Sequence, residues 1–287
     1  MTKEFNNHRV VNSINLRADK GQLIAFLGPN GVGKSTTIDM LTGLISPTKG
    51  KISLSGVKVN SAQFRNKIGV VFQDSVLDHN LTVLQNLITR AKLYPQFSQA
   101  YFEELIRQFE LENILDKKYG ILSGGQRRRV DIVRALVHEQ ELLFLDEPST
   151  GLDIQTRNKI WDILNEIRHK KLLTIILTTH YLEEAEYSDY VYVIDHGKII
   201  AENTLNKLKV LYSHDVLSLN LKDNSVLHNM IDKSTNQPFE KQIEIATNSK
   251  VQAITILNSM ESEIESFEMK TGSVDDIFIE LTGKEIR

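Results

Sequence analysis

The stretch Gly28-Pro29-Asn30-Gly31-Val32-Gly33-Lys34-Ser35 constrains this chain more than any other. It satisfies the pattern GxxxxGK[ST] in full, and it lies where that pattern has a mechanism. The apolar run LIAFL, Leu23 to Leu27, precedes it without in–out alternation, as in a strand covered on both faces. After it, Ile38, Leu41 and Ile45 predict one apolar side of a helix. Glycines let the backbone wrap a phosphate without a Cβ clash, and loop N–H groups with a helix N-terminus supply partial positive charge. In such a loop Lys34 would reach the β- and γ-phosphates of a nucleotide, Ser35 would ligate Mg²⁺, and Thr36 would bind phosphate beside it. The bland alternative is a glycine turn capping a helix, with a surface lysine. The full pattern between a strand and a helix favours nucleotide binding.

Further continuous apolar runs, LLFL (Leu142 to Leu145), TIILTT (Thr174 to Thr179) and VYVI (Val191 to Ile194), predict more buried parallel strands. Between them lie helical stripes: Phe102, Leu105, Ile106, Phe109; Val130, Val133, Val137; and Ile160, Ile163, Leu164, Ile167, with Trp161 read as core. Strands alternating with helices predict an α/β domain with a parallel sheet. The segment from about 84 to 137 breaks the alternation and reads as a helical insertion. Beyond about residue 201 the chain turns more polar. Strand-like pieces (216–221, 242–247, 263–269) mix there with helical ones (251–260, 274–282), which predicts a small C-terminal α/β or α+β domain. The boundaries expected are 1–212 and 213–287.

Composition excludes several function classes. Apolar residues make up 41% and charged residues 25%, as in soluble globular proteins. A net charge of −3 gives no global grip on nucleic acid or on an anionic membrane. With no cysteine, the chain can form no disulfide, thiolate zinc site, iron–sulfur site or cysteine nucleophile. No apolar run approaches the roughly 20 residues of a bilayer span, and the first residues carry no signal-peptide core. A cytosolic chain, able to work beside a membrane, is expected.

The strand LLFL ends in Asp146-Glu147-Pro148. In phosphate-loop proteins an acid at this place holds Mg²⁺ through water, which suits Asp146. Glu147 could take a proton from an attacking water. An acidic turn closed by proline is the simpler reading. Downstream of the insertion's first helices, Leu122-Ser123-Gly124-Gly125-Gln126 leads into the helix carrying Val130. Ser123 could be an N-cap, and the same N-terminus is a second outward-facing anion site. Arg127 to Arg129 read as a solvated face or as local ion-pair donors.

In this order the motifs resemble the ATP-binding cassette (ABC) ATPases of membrane transporters. The match runs through about the first 200 residues. It comprises the phosphate loop, Gln73 in Val-Val-Phe-Gln-Asp, LSGGQ, LLFLDEP, Ser149-Thr-Gly-Leu-Asp153, and His180 in Leu-Thr-Thr-His. The resemblance implies a P-loop NTPase (RecA-like) α/β core with a β subdomain and the helical insertion. It implies ATP and Mg²⁺ as ligands, with Ser35, Gln73 and Asp146 at the metal. Glu147, Gln73 and His180 would be catalytic, with His180 contacting the γ-phosphate and Glu147. Asp153 would communicate across a dimer. Ser123, Gly124, Gly125 and Gln126 would complete the opposite chain's site. Phe5 lies where an aromatic ring commonly stacks on adenine, though packing on the core is an equal reading. The partners implied are a second copy or a related ATPase subunit and an integral membrane permease, not nucleic acid, at the cytoplasmic face of the membrane. The run from Val71 to Val83 and the C-terminal Ser273-Val-Asp-Asp276-Ile-Phe278 to Thr282-Gly283 are similar to drug-resistance-type bacterial exporters. An importer ATPase and a soluble ABC ATPase are the alternatives.

Overall fold

The computed structural model describes residues 1–95, 97–179, 181–222, 231–232, 237–238, 242–247 and 250–283. The chain divides into two compact units, Met1–Leu205 and Asn206–Glu285.

The first unit begins with a hairpin, β1 (Lys3–Phe5) and β2 (His8–Val11), followed by β3 (Leu23–Leu27) and α1 (Lys34–Thr42). A second hairpin, β4 (Ser53–Leu54) and β5 (Val57–Lys58), leads through α2 (Ala62–Arg65) to β6 (Ile68–Val71). These two hairpins form separate two-stranded sheets where a β subdomain is expected, and an isolated bridge joins Thr2, just before β1, to Lys49, ahead of β4. The helical insertion consists of α3 (Val83–Ala91), α4 (Gln99–Gln108) and α5 (Gly124–Leu136), with two 3₁₀ turns between α4 and α5. The helices start where the sequence offers caps: Thr82 with Gln85 in a capping box for α3, and Ser98 for α4. The alternation then resumes with β7 (Leu142–Asp146), α6 (Ile154–Lys171), β8 (Thr174–Thr179), α7 (Leu182–Ala185), β9 (Tyr190–Asp195) and β10 (Lys198–Asn203).

Six strands form one sheet in the order β10-β9-β3-β8-β7-β6, parallel except for β10. Every residue of β3, β7 and β8 is buried, which is why these strands read as unbroken apolar runs. Ile24, Phe26, Phe144, Ile176 and Tyr192 pack on one face with Ile38 and Phe64. Alternate residues such as Leu23, Leu27, Leu143, Leu145 and Leu177 are equally buried. The register decides where chemistry can occur. Leu27 pairs with Thr179, and Asp146 pairs with Thr178. The carboxyl ends of β3, β7 and β8 therefore lie side by side, and the loop after β3 and the acids ending β7 share one edge.

One expected detail is corrected. The chain turns at Gly43 (φ 81°), so α1 stops at Thr42 and Ile45 lies beyond it. The apolar side of α1 is Ile38 and the half-buried Leu41.

Helix α8 (Leu205–Tyr212) starts at the division, and the second unit goes on with β11 (Asp215–Leu221), β12 (Ile231–Asp232), β13 (Gln237–Pro238), β14 (Gln242–Thr247), α9 (Lys250–Ser259), β15 (Ile264–Lys270) and α10 (Val274–Thr282). Its main sheet is antiparallel in the order β14-β11-β15, making it α+β. Leu217, Leu219 and Ala253 form its core with Ile245, Ile256 and Leu257. The Ser-to-Gly run of the sequence is the whole of α10: Ser273 and Asp276 make its capping box, and Gly283 closes it.

Candidate active site

The loop between β3 and α1 is shaped by its glycines. Gly33 is the N-cap of α1 at φ 104°, a conformation side chains rarely adopt. A Cβ there would lie 2.8 Å from the Val10 carbonyl oxygen. The result is an open cradle of backbone at the positive end of a helix, which fits a phosphate chain. Asn30, Gly31, Gly33, Lys34, Ser35 and Thr36 line a cleft of about 280 Å³, joined by Val10, Gln73 and Glu147. A separate, largely apolar cavity of about 370 Å³ lies against the sheet beside Leu16, Phe26, Leu54, Phe64, Phe144 and Tyr192. No residue of the phosphate loop or the signature lines it, and neither do Gln73, Asp146 and Glu147.

Lys34 is buried within the cleft. Its Nζ donates to the carbonyls of Gly28 (2.7 Å) and Pro29 (3.0 Å), and it lies 3.9 Å from Glu147 Oε1. Burial pulls its pKa below the ordinary lysine range, while Glu147 and Asp146 oppose that pull. Ser35 Oγ donates to Asp146 Oδ1 at 3.3 Å, so hydroxyl and carboxylate converge from α1 and β7. Oxygen donors of this kind suit Mg²⁺, and Gln73, exposed at the end of β6, lines the same cleft.

Thr178 on β8 fixes both acids. Its hydroxyl donates to Asp146 Oδ1 and accepts from the Glu147 backbone N–H at 3.2 Å, and its carbonyl accepts from the same N–H at 3.1 Å. Glu147 needs such anchoring because its φ is 47°, uncommon for a residue with a side chain. Its Oε2 accepts from Thr150 Oγ1 at 3.3 Å.

The signature lies elsewhere. Ser123 is the N-cap of α5: its Oγ accepts from Gln126 N (3.3 Å) while Gln126 Oε1 accepts from Ser123 N (3.1 Å). Ser123 and Gly124 are exposed, and none of Ser123, Gly124, Gly125 and Gln126 lines the phosphate-loop cleft. Asp153 is the exposed N-cap of α6. Hydrogen bonds from the backbone and hydroxyl of Thr156 hold its carboxyl below the usual range. Phe5 ends β1 at 45% exposure with Lys3 Nζ over its ring, so it is not packed on the core and does not line the cleft. His180 lies outside the described residues.

Two residues of α5 were missed by sequence reasoning. The arginine run is not a uniform solvated face: Arg128 is buried and donates to the carbonyls of Phe72 (2.8 Å), Gln73 (3.2 Å) and Glu147 (3.3 Å). Arg129 instead pairs with Glu110. Asp131, also buried, accepts from Ser75 Oγ (2.7 Å) and from Tyr119 OH (3.1 and 3.0 Å). Burial raises its pKa, against those hydrogen bonds and the charge of Arg128. The i, i+3 spacing of opposite charges among the valines was the available signal.

The family described as "ABC transporter" matches residues 11–150. The daunorubicin/doxorubicin resistance ATP-binding protein of Streptomyces peucetius is 34% identical over 99% of this chain and 91% of its own length. Nod factor export ATP-binding protein I of Burkholderia lata is 34% identical over 99% of this chain and 96% of its own. Among solved structures, the ATP-binding subunit of an ABC transporter superposes with a TM-score of 0.67 at 30% identity, covering 74% of this chain and 90% of that one. A dimeric ATP-binding cassette in a post-hydrolysis state, bound to ADP and Pi, gives 0.64 at 28% identity, covering 71% and 95%.

Proposed function

The chain belongs to the ABC transporter family as an ATPase, and we propose that it powers an exporter, two copies closing head to tail on two ATP molecules beside a separate permease. The observation that carries this is the division of the motifs between two surfaces. Lys34, Ser35, Gln73 and Glu147 line one cleft, with Asp146 hydrogen-bonded to Ser35, while Ser123 to Gln126 open outward from the start of α5. A site needing both sets is completed by a second chain. The relatives named for drug resistance and Nod factor export support export, and the dimeric cassette supports pairing.

Phosphoryl transfer to water depends mainly on positioning and charge neutralisation. The phosphates of ATP lie along the N-terminus of α1, with Lys34 on the β- and γ-phosphates. Ser35, Asp146 and Gln73 would hold Mg²⁺, which when bound neutralises phosphate charge. Glu147 accepts the proton of the attacking water, with Gln73 and, by resemblance, His180 beside it. The partner's Ser123 loop covers the γ-phosphate and excludes solvent. Loss of that phosphate releases the contact and the dimer opens. Asp153 links the two sites, and the exposed Phe5 ring can stack on adenine. We take the nucleotide-binding domain as 1–212 and an accessory domain as 213–287, which adds α8 to the first of the two compact units. None of the described helices is long and apolar enough to cross a membrane. We assign the chain to the cytoplasmic face, where the segment after Gln73 meets the permease.

The test is Glu147→Gln. It should bind ATP, hydrolyse it at least about 100-fold more slowly, and elute as a dimer in ATP. Wild-type turnover would refute the base, and a monomer in ATP would refute the shared site. Affinity purification in detergent should bring down a polytopic partner, and recovery of the chain alone would count against an exporter.

A further inference from the structure

Helix α5 serves two places at once, and one side chain joins them. Its N-terminus presents Ser123 and Gly124 to solvent. One turn later Arg128 points inward, 7% exposed, and its guanidinium donates to three backbone carbonyls: Phe72 (2.8 Å), Gln73 (3.2 Å) and Glu147 (3.3 Å). Two of these belong to the residues assigned to hydrolysis. At Glu147 the carbonyl is held on a backbone of positive φ, where an anchor decides where the carboxylate points. At Gln73 the carbonyl is held where the chain leaves β6.

A second bond set reinforces the first. Asp131, three residues along α5, accepts from Ser75 Oγ at 2.7 Å and from Tyr119. The segment Phe72 to Ser75 is thus tied to α5 at two successive levels. Behind it β6 presses on the same helix: a Cβ on Gly69 would lie 2.4 Å from the Ala135 carbonyl oxygen. The loop cannot drift from the helix without breaking these hydrogen bonds, each of which is made by a buried side chain of α5. A planar fork with five N–H donors meets three carbonyls together, and a lysine cannot reproduce that.

We propose that Arg128 is a positioning residue coupling the two ATP sites of the dimer. When the Ser123 end of α5 engages the partner's ATP, Arg128 carries the displacement of the helix to Gln73 and Glu147 of its own chain. This rests on the shared-site function proposed above.

The test is steady-state hydrolysis by the full chain across ATP concentrations with Mg²⁺. Wild type should show a Hill coefficient above about 1. Arg128→Gln should lower kcat about tenfold or more, keep KM for ATP within about threefold, and bring the Hill coefficient to about 1. Arg129→Gln, which removes a bond to Glu110, should leave these values within about twofold. Arg128→Lys should fall between wild type and Arg128→Gln, and it decides the matter if the glutamine variant does not fold. A purely structural role would lower the melting temperature and leave the Hill coefficient alone. Wild-type kcat in the variants, proportional loss of kcat and ATP binding, an unchanged Hill coefficient, or a wild-type Hill coefficient of about 1 each overturn the proposal. Size exclusion of Glu147→Gln in ATP separates the failures. If no dimer forms, the shared site itself is wrong; if it forms, only the role of Arg128 falls.

Discussion

The ammonium of Lys34 lies 3.9 Å from a carboxylate oxygen of Glu147, with both side chains buried. A cation and an anion drawn from α1 and from the end of β7 meet in the cleft lined by the phosphate loop. Lys34 also donates to two loop carbonyls, so its position is set before any nucleotide arrives.

On the proposed site, Lys34→Met would remove a charge-assisted contact to phosphate while nearly conserving volume. ATP affinity should fall by about 10- to 100-fold, measured by calorimetry. An unchanged dissociation constant would place the phosphates elsewhere.

The 3.3 Å contact of Ser35 with Asp146 predicts a metal effect separable from nucleotide binding. Asp146→Asn should raise the Mg²⁺ concentration for half-maximal turnover by about tenfold. ATP binding in a chelator should change little. Equal loss with and without metal would show that Asp146 acts on the fold alone.

If the signature acts in trans, two inactive chains should repair each other. Ser123→Arg should abolish hydrolysis and spare nucleotide binding, and Lys34→Met should lose both. A mixture contains dimers in which one site has an intact phosphate loop facing an intact signature. Turnover regained on mixing checks this, and a mixture as inactive as its parts would argue for a site within one chain.

His138, just past α5, gives a pH dependence of stability. Its ring is buried, stacked on Tyr94 at 3.8 Å between centroids, with Nε2–H donating to the Ile68 carbonyl at 2.9 Å. Burial lowers its pKa from 6.5 to about 4, opposed by the Ile68 bond and aided by Arg90 and Arg134. Between these values the unfolded chain takes up a proton that the folded one refuses. The stabilisation is complete above the unfolded value and is lost as pH falls through the window. At pH 5 the loss should be on the order of 2 kcal/mol. His138→Gln keeps a donor for Ile68 and should flatten this slope in urea unfolding at pH 7.5 and pH 5. A slope unchanged by the substitution would assign the acid sensitivity to other groups.

What was legible in the chain depended on whether a feature was local. LIAFL, LLFL, TIILTT and VYVI could be read because two-sided burial writes an unbroken apolar run. The capping boxes at Ser123 and Ser273 are equally local. Strand β10 was not singled out, since its residues alternate between exposed and half-buried at the sheet's antiparallel edge. The positive φ of Glu147 depends on Thr178, which arrives from a strand far along the chain. Arg128 looked like one of three equivalent arginines until the loop after β6 was folded against it. Contacts between distant segments leave no periodic trace.

The cap on α5 has a consequence in donor and acceptor terms. A serine hydroxyl has one hydrogen and two lone pairs. At Ser123 the cap uses a lone pair, accepting from Gln126 N. The hydrogen is left to point at an approaching anion. Aspartate would cap the same helix equally well, yet it would meet a phosphate with negative charge and no proton to give. Serine and aspartate start the helix alike, and of the two only the hydroxyl keeps a proton for an anion.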